Sequence, residues 1–359
     1  MTLLTLRKQL LISFCLGLLI LSIGIPSNAQ SFAFKQTVAE LVASNKKLTK
    51  FYESTGYAPL WIGTSNLHRS RRSAFFKAIS AADTHGLPVQ RYNPKILKKQ
   101  AQTARTQHDL AAIEAAIDDN TRAVFCESIA NPGGYITDLD EVAEIADAAG
   151  LPLIVDNTSA TPYLCRPIEH GATLVVNSMT KYLTGNGTVT GGVVIDSGKF
   201  DWSASDKFPS LSAPEQAYHG LKFHETFGNL AFTFHSIGIG LRDLGMTLNP
   251  QAAHYTLLGI ETLSLRMQRH VENAKVLAEW LEKDPRVEAV TYAGLLSSPY
   301  YDRVAKICPK GAGALMTVSL KAGYDACIKL VSELNLFSHV ANLGDTRSLI
   351  IHAASTTHR

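Results

Sequence analysis

TLVVNSMTKYLTGNGTVTGG, residues 173–192, is the stretch from which the rest of the chain is read. Its apolar run, Leu174, Val175 and Val176, ends in Asn177 and Ser178. Thr180 and Lys181 follow, at the head of a loop rich in Gly and Thr. A short β-branched run that stops in small polar residues reads as a buried strand ending at a ligand. In an open parallel sheet the ligand lies outside the carboxyl ends of the strands, which would bring Lys181 to that ligand rather than to solvent.

A second strand end points the same way. Residues 152–158 read PLIVDNT, a buried-strand pattern closed by Asp156. An acid at the end of one strand and a lysine at the end of another suit pyridoxal phosphate (PLP). The lysine forms the Schiff base, and the carboxylate keeps the pyridinium nitrogen protonated. Ser178 and Thr180 flank the lysine and offer hydroxyls to a phosphate. Each part alone has a plainer reading: an Asp after a strand is a helix cap or turn residue, and a lone Lys is a solvated surface group.

Around these two strand ends the pattern is that of an α/β domain. Residues 122–128 form the preceding strand. Residues 138–149 form an amphipathic helix with Leu139, Val142, Ile145 and Ala146 inward and Asp140, Glu141, Glu144 and Asp147 outward. Gly150 ends the helix and the PLIVD strand follows, so the unit is βαβ and the sheet is parallel. Residues 190–196 add a strand, and residues 257–283 read as one long helix stopped by Asp284-Pro285. Beyond lies a smaller α/β domain, with strands over 287–292, 314–320 and 348–352 and a helix over 324–334. His219, His224 and His235 match no metal-ligand spacing, so structural or subunit-contact roles are expected of them.

The first residues differ in kind. Arg7 and Lys8, an apolar run over 10–25 and the small residues before Gln30 form a secretory signal pattern, the alternative being an uncleaved anchor helix. Residues 31–108 carry 13 Lys and Arg against 3 Asp and Glu, so the net charge of +3 hides a basic segment followed by an acidic one. Helix-like spacing recurs there in Val38, Leu41, Val42 and Leu48, and again in Ala74, Phe75, Ala78, Ile79 and Ala82. The five cysteines form no CxxC and no disulfide framework. Cys126, Cys165, Cys308 and Cys327 read as buried thiols, which fits a reducing compartment and conflicts with export. With 46% hydrophobic residues the chain is long enough for two or more cores. Nothing in it reads as nucleic-acid binding, and a membrane enters only through an uncleaved leader.

Two resemblances sharpen these readings. From about residue 117 to 359 the chain resembles the Cys/Met-metabolism family of PLP enzymes, and within it the O-acetylhomoserine sulfhydrylases (O-acetylhomoserine aminocarboxypropyltransferases). The stretches that carry the likeness begin with NTRAVFCESIANPGG and run on through Gly192. AYHGLKFHE, FTFHSIGIGLRDLGMTLNP, GIETLSLRMQRHVENA and FSHVANLGDTRSLIIHAASTTHR follow. The resemblance implies that Lys181 is the Schiff-base lysine and Asp156 the pyridinium partner. It also implies that Ser178 and Thr180 touch the phosphate, and that Asn131 lies near the phenolic oxygen and the substrate carboxylate. It places the loop Asn342-Leu343-Gly344 near the substrate. The implied reaction replaces the acetate of O-acetylhomoserine by sulfide or a thiol, in a homo-oligomer. Residues 32–109, through FYESTGYAPLW and AADTHGLPVQRYNP, resemble the N-terminal scaffold segment of L,D-transpeptidases, without that family's Ser-His-Gly-Cys motif.

The expected organisation is therefore a signal peptide over 1–29, a helical scaffold-like module over 30–110, a PLP-binding large domain over 111–284 and a small C-terminal domain over 285–359. The fold class is α/β: a partial PLP-dependent transferase (aspartate-aminotransferase-like) large domain with a mainly parallel sheet. Both PLP-family domains are expected to be truncated. The family's Gly-containing phosphate loop, the aromatic that stacks on the ring, a Tyr-x-x-Arg and the carboxylate-gripping arginine find no equivalents, and Arg347 and Arg359 do not replace the last. Impaired catalysis is one expectation. An exported, non-catalytic peptidoglycan-associated module, or a non-functional fusion of two gene fragments, are the alternatives.

Overall fold

A computed structural model describes residues 110–356, all within the compact unit Pro94–Arg359. The leader and the scaffold-like module lie outside the described residues. Among the described residues, no helix is long and apolar enough to cross a membrane.

Four strands build the main sheet: β1 (Val124–Glu127), β2 (Leu153–Asp156), β3 (Leu174–Ser178) and β4 (Gly192–Asp196), in that spatial order. The first three are parallel, as the βαβ pattern requires. The crossover from β1 to β2 is helix α2 (Leu139–Ala148), which follows the short helix α1 (Leu110–Ala116). Leu139, Val142 and Ala146 of α2 are buried, while Ile145 lies at the margin of the core. β4 runs antiparallel to β3. The segment between them holds the lysine turn and no crossover helix, and a return without a crossover can only be antiparallel.

After β2 comes the short α3 (Thr161–Leu164). After β4 come α4 (Pro209–Ser212), α5 (Phe223–Phe227) and α6 (Ala231–His235). These close a second, aromatic core of Leu174, Trp202, Phe208, Leu211, Phe223 and Ala231 on the far face of β3. The strand is thus covered on both sides, which is why Leu174-Val175-Val176 is a continuous apolar run instead of an alternating one. His235 sits edge-on against Phe223 and His224 faces Asp201 at 3.5 Å, so these histidines serve packing. Cys126, Cys165 and Cys308 are buried free thiols, and Cys327 is half-buried.

The long helix read over 257–283 is two helices, α7 (Pro250–Glu261) and α8 (Leu263–Leu281), parted at Thr262. The start at Pro250 is a capped one: Asn249 Oδ1 accepts from the amide of Gln251 at 2.8 Å, and Pro occupies the first helical position. Gly259 of α7 presses against the chain that follows Lys181. A Cβ at Gly259 would stand 2.3 Å from the Leu183 carbonyl oxygen and 2.5 Å from that of Thr184.

The C-terminal part carries β5 (Val287–Thr291), α9 (Tyr301–Ile307), β6 (Thr317–Leu320), α10 (Gly323–Glu333), β7 (Ser338–His339) and β8 (Leu349–Ile350). Its strands form two separate pairs, β5 with β6 antiparallel and β7 with β8 parallel. The predicted strands over 314–320 and 348–352 are shorter than their apolar patterns, and α9 was not legible as a helix. The main core does not stop at residue 284. Ile113, Leu139, Val155 and Met179 share it with Met267, Tyr292, Ile307 and Cys308. Lys306 of α9 adds ion pairs to Asp138 (2.9 Å) and Asp140 (3.0 Å) beside α2, but its half-exposed ammonium makes these worth little beside the apolar contact.

Gly259→Ala forces backbone to move, because the obstructing atoms are carbonyl oxygens and not flexible side-chain ends. We expect a loss of about 2–4 kcal/mol in denaturant unfolding, of the size of other overpacked core sites. An unfolding midpoint equal to the parent's would show that α7 and the lysine turn are not in contact.

Candidate cofactor site at Lys181

The site is made by three strand ends. β1 closes on Glu127, β2 on Asp156 and β3 on Ser178. At such ends the backbone amides have left the ladder, and short side chains take them up. Asp156 Oδ1 accepts from the Thr158 amide at 2.9 Å, and Thr158 Oγ1 accepts from the Ser178 amide at 2.8 Å. Ser128 Oγ donates to Asn157 Oδ1 at 2.7 Å in the buried layer beneath. Asp156, Thr158 and Ser178 are thereby brought together. Five residues after Asp156, Thr161 has φ of 62°, a left-handed conformation that strains a β-branched residue by about 1–3 kcal/mol.

Lys181 lies in a one-turn π-helix, Met179–Leu183, and its own φ and ψ (−99°, −130°) are not helical. Such single-turn π segments concentrate at functional sites. The lysine is half-buried, and burial holds its amine below the usual lysine range. Its Nζ donates to Asn342 Oδ1. The loop that supplies Asn342 is seated on the lysine turn: the Thr346 amide donates to the Gly185 carbonyl at 3.0 Å, and Gly344, with φ of 78°, leaves no room for a side chain. A Cβ there would stand 2.4 Å from the Tyr182 nitrogen. The loop expected near the substrate thus reaches the lysine itself.

From the other side the turn is held by Arg266 of α8. Its guanidinium donates to the carbonyls of Tyr182 (2.8 Å) and Gly259, and to Thr262 Oγ1 (3.0 Å). Thr184 Oγ1 donates to the Met179 carbonyl at 2.6 Å and meets Thr256 Oγ1 of α7 at 3.3 Å. Arg266 reads in the sequence as one more polar residue on a helix face, and no local signal marks its role.

The other candidates are placed as follows. The Thr180 hydroxyl accepts from the Gly191 amide at 3.2 Å and donates to the Gly191 carbonyl at 3.5 Å, so it closes the loop that leads to β4. Asn131 is exposed, and its amide donates to Glu127 Oε2 at 2.7 Å. Arg347 is bound to buried Asp345 through Nη2 at 2.8 Å. Arg359 lies outside the described residues. Glu127 was missed, although VFCE and LIVD are parallel signals, each an apolar run closed by an acid.

The donor set fits PLP. A primary amine whose charge is disfavoured by burial is suited to Schiff-base chemistry. Asp156, held by a backbone amide, suits a ring nitrogen, and the hydroxyls of Ser178 and Thr180 suit a phosphate. Glu127 is less comfortable as an anion. Burial, reinforced by Asp156 and opposed by the Asn131 amide, pushes its carboxyl up from 4.5 to about 7. The folded chain therefore binds a proton that the unfolded chain releases, and stability falls as pH rises from 4.5 to 7. Glu127→Gln removes that penalty. It is expected to exceed the parent in stability by on the order of 3 kcal/mol at pH 8, with the difference vanishing at pH 4.5 and below. Urea unfolding at the two pH values checks this, and an equal difference at both would refute it.

Comparison with known proteins agrees with the geometry. The chain is 49% identical over 253 residues to the homocysteine synthase of Schizosaccharomyces pombe, covering 70% of this chain and 58% of that one. It is 48% identical over 245 residues to O-acetyl-L-homoserine sulfhydrylase 1 of Thermus thermophilus, covering 68% and 58%. The chain thus spans somewhat more than half the length of the curated relatives it matches. A crystal structure of an O-acetylhomoserine (thiol)-lyase from Campylobacter jejuni, containing a pyridoxyl-lysine 5'-monophosphate, is similar with a TM-score of 0.66. It is 37% identical, and the match covers 70% of this chain and 60% of that one. The model of the Cys/Met metabolism PLP-dependent enzymes matches residues 31–359, a span that includes the basic segment read above as a separate module, and the chain belongs to that family.

Proposed function

We propose that the chain holds pyridoxal 5'-phosphate on Lys181 and acts as an O-acetylhomoserine sulfhydrylase, giving homocysteine from sulfide or methionine from methanethiol, with release of acetate. The observation that carries the reading is the half-buried Lys181, its charge disfavoured by burial, on a turn that follows the β3 end directly, one strand over from Asp156. The similarity to homocysteine synthase and O-acetylhomoserine sulfhydrylases supports the choice of substrates.

The cofactor supplies the electron sink for carbanion chemistry. The residues of the chain supply position and protons. Asp156 holds a proton on the ring nitrogen. Ser178 and Thr180 offer hydroxyls to the phosphate, Thr180 by exchanging its bond to Gly191. Asn131 serves the phenolic oxygen and the substrate carboxylate. Lys181, once its amine is free, is the base placed to take and return protons at Cα and Cβ. Asn342 accepts from that amine and sets its direction.

Self-association is part of the proposal. Val193, Val194 and Ile195 of β4 and Tyr255, Leu257, Leu258 and Ile260 of α7 are exposed apolar side chains, more than a monomer surface ordinarily carries on two elements.

Two measurements test these readings. PLP followed by borohydride should leave a reduced adduct on the Lys181 peptide, and Lys181→Ala should lose it completely. In Asn342→Ala the adduct should still form, but roughly tenfold more slowly, because one hydrogen bond that orients the amine is gone. Label spread over surface lysines, unchanged in Lys181→Ala, would refute the cofactor assignment. Sedimentation velocity should show a defined oligomer that Leu257→Glu weakens, and a monomer at all concentrations would refute the assembly.

A further inference from the structure

Asn186-Gly187 is the one Asn-Gly step in the whole sequence. It lies between the lysine turn and β4, and Asn186, Gly187 and Thr188 are all exposed. Thr188 folds back on Asn186. Its hydroxyl donates to Asn186 Oδ1 at 2.6 Å, and its amide donates to the same oxygen at 3.3 Å. Two donors on one side-chain carbonyl draw electrons from Cγ, and they stand where negative charge gathers when a nucleophile adds to that carbon. A nucleophile is next in the chain. No hydrogen bond holds the Gly187 amide among the described residues, and no Cβ crowds it. The residues on either side of Asn186 are both contacts. The Gly185 carbonyl accepts from the Thr346 amide at 3.0 Å, and a Cβ at Gly187 would stand 3.4 Å from Asp345 Oδ2 and 3.8 Å from Asn342 Nδ2. Both glycines are left-handed, with φ of 82° and 69°, a course that Gly takes without strain. The loop they touch is the one that delivers Asn342 to Lys181 Nζ.

We propose that Asn186 is a self-modification site: the Gly187 nitrogen closes onto Asn186 Cγ with assistance from Thr188, and the β-linked aspartyl product unseats the loop that brings Asn342 to Lys181. The Gly187 nitrogen gives its proton to water and forms a bond to Cγ. The Cγ–Nδ2 bond breaks, and ammonia leaves with a proton taken from water. Water then opens the cyclic imide. Attack at Cγ gives an ordinary aspartyl residue, and attack at the main-chain carbonyl gives the β-linked one. Nothing is oxidised or reduced, and water is the only co-reactant. The β-linked product carries one more carbon in the main chain between positions 186 and 187. Gly185 and Gly187 then no longer keep their joint fit to one loop. The inference does not depend on a bound cofactor.

The test stores the full chain without cofactor and follows the tryptic peptide over 182–199 by mass spectrometry, with fragmentation to separate the two products. A gain of one mass unit at Asn186 is expected, with both products present, and faster as pH rises because the nucleophile is the deprotonated amide. Thr188→Val is expected to slow the gain roughly tenfold, the worth of one hydrogen bond, and Thr188→Ser to keep the parent's rate. The coupling is read by hydrogen exchange. The peptide that contains Thr346 is expected to lose protection as the β-linked form accumulates in stored parent, and to keep it in stored Asn186→Gln, which gains no mass. No mass gain at Asn186, or a Thr188→Val variant that reacts as fast as the parent or faster, would overturn the proposal. Equal protection of the Thr346 peptide in stored parent and stored Asn186→Gln would overturn the link to the loop at Lys181.

Discussion

The guanidinium of Arg266 ties the lysine turn to the junction of α7 and α8: it donates to the carbonyl of Tyr182 next to the lysine, 84 residues away, to the carbonyl of Gly259 near the end of α7, and to the hydroxyl of Thr262 at the break between α7 and α8. A π-turn leaves carbonyls without helical partners, and in a buried turn those groups need donors from elsewhere. Arg suits that place because its planar fork presents several N–H groups at fixed angles. Burial lowers its affinity for its own proton, yet it stays charged, and the carbonyl dipoles offset the cost of removing it from water.

Burial of the same turn shapes the chemistry. Lys181 and Glu127 are shifted in opposite directions by one physical effect, the loss of water around a charge. The amine is thereby closer to its nucleophilic, neutral form, and the acid closer to its protonated one. Asp156 lies between these two residues in the order of the strand ends, with the Thr158 amide on its carboxylate. The lowered lysine follows from where the strands end and from what covers them.

The remaining surface has a different character. The exposed valines and isoleucine of β4, Phe125 on β1 (54% exposed) and the apolar residues of α7 are of the kind that sheets and helices ordinarily cover. β1 and β4 are the outer strands of the sheet among the described residues.

Much of this was legible in the sequence. The run Leu174–Val176 announced a strand buried on both faces. PLIVD and the amphipathic residues 138–149 announced the βαβ unit, and the pattern put Asp156 and Lys181 at neighbouring strand ends. These features depend on local order, on hydrophobic period and on the residue at which a run stops, and a chain carries them wherever it is folded. Glu127 was equally available, since its strand ends as that of Asp156 does. The antiparallel course of β4, the division of 250–281 into two helices, the hold of Arg266 on Tyr182 and the reach of Asn342 to Lys181 were not legible. The residues involved are separated by up to 161 positions, and their side chains are unremarkable in local context. Composition and period by themselves determined the strands and the crossover helix of the βαβ unit and which residue types stand at their ends. Only the tertiary structure determined which of those ends meet, because that is settled by close packing and by the search of buried polar groups for partners, and neither leaves a periodic trace in the sequence.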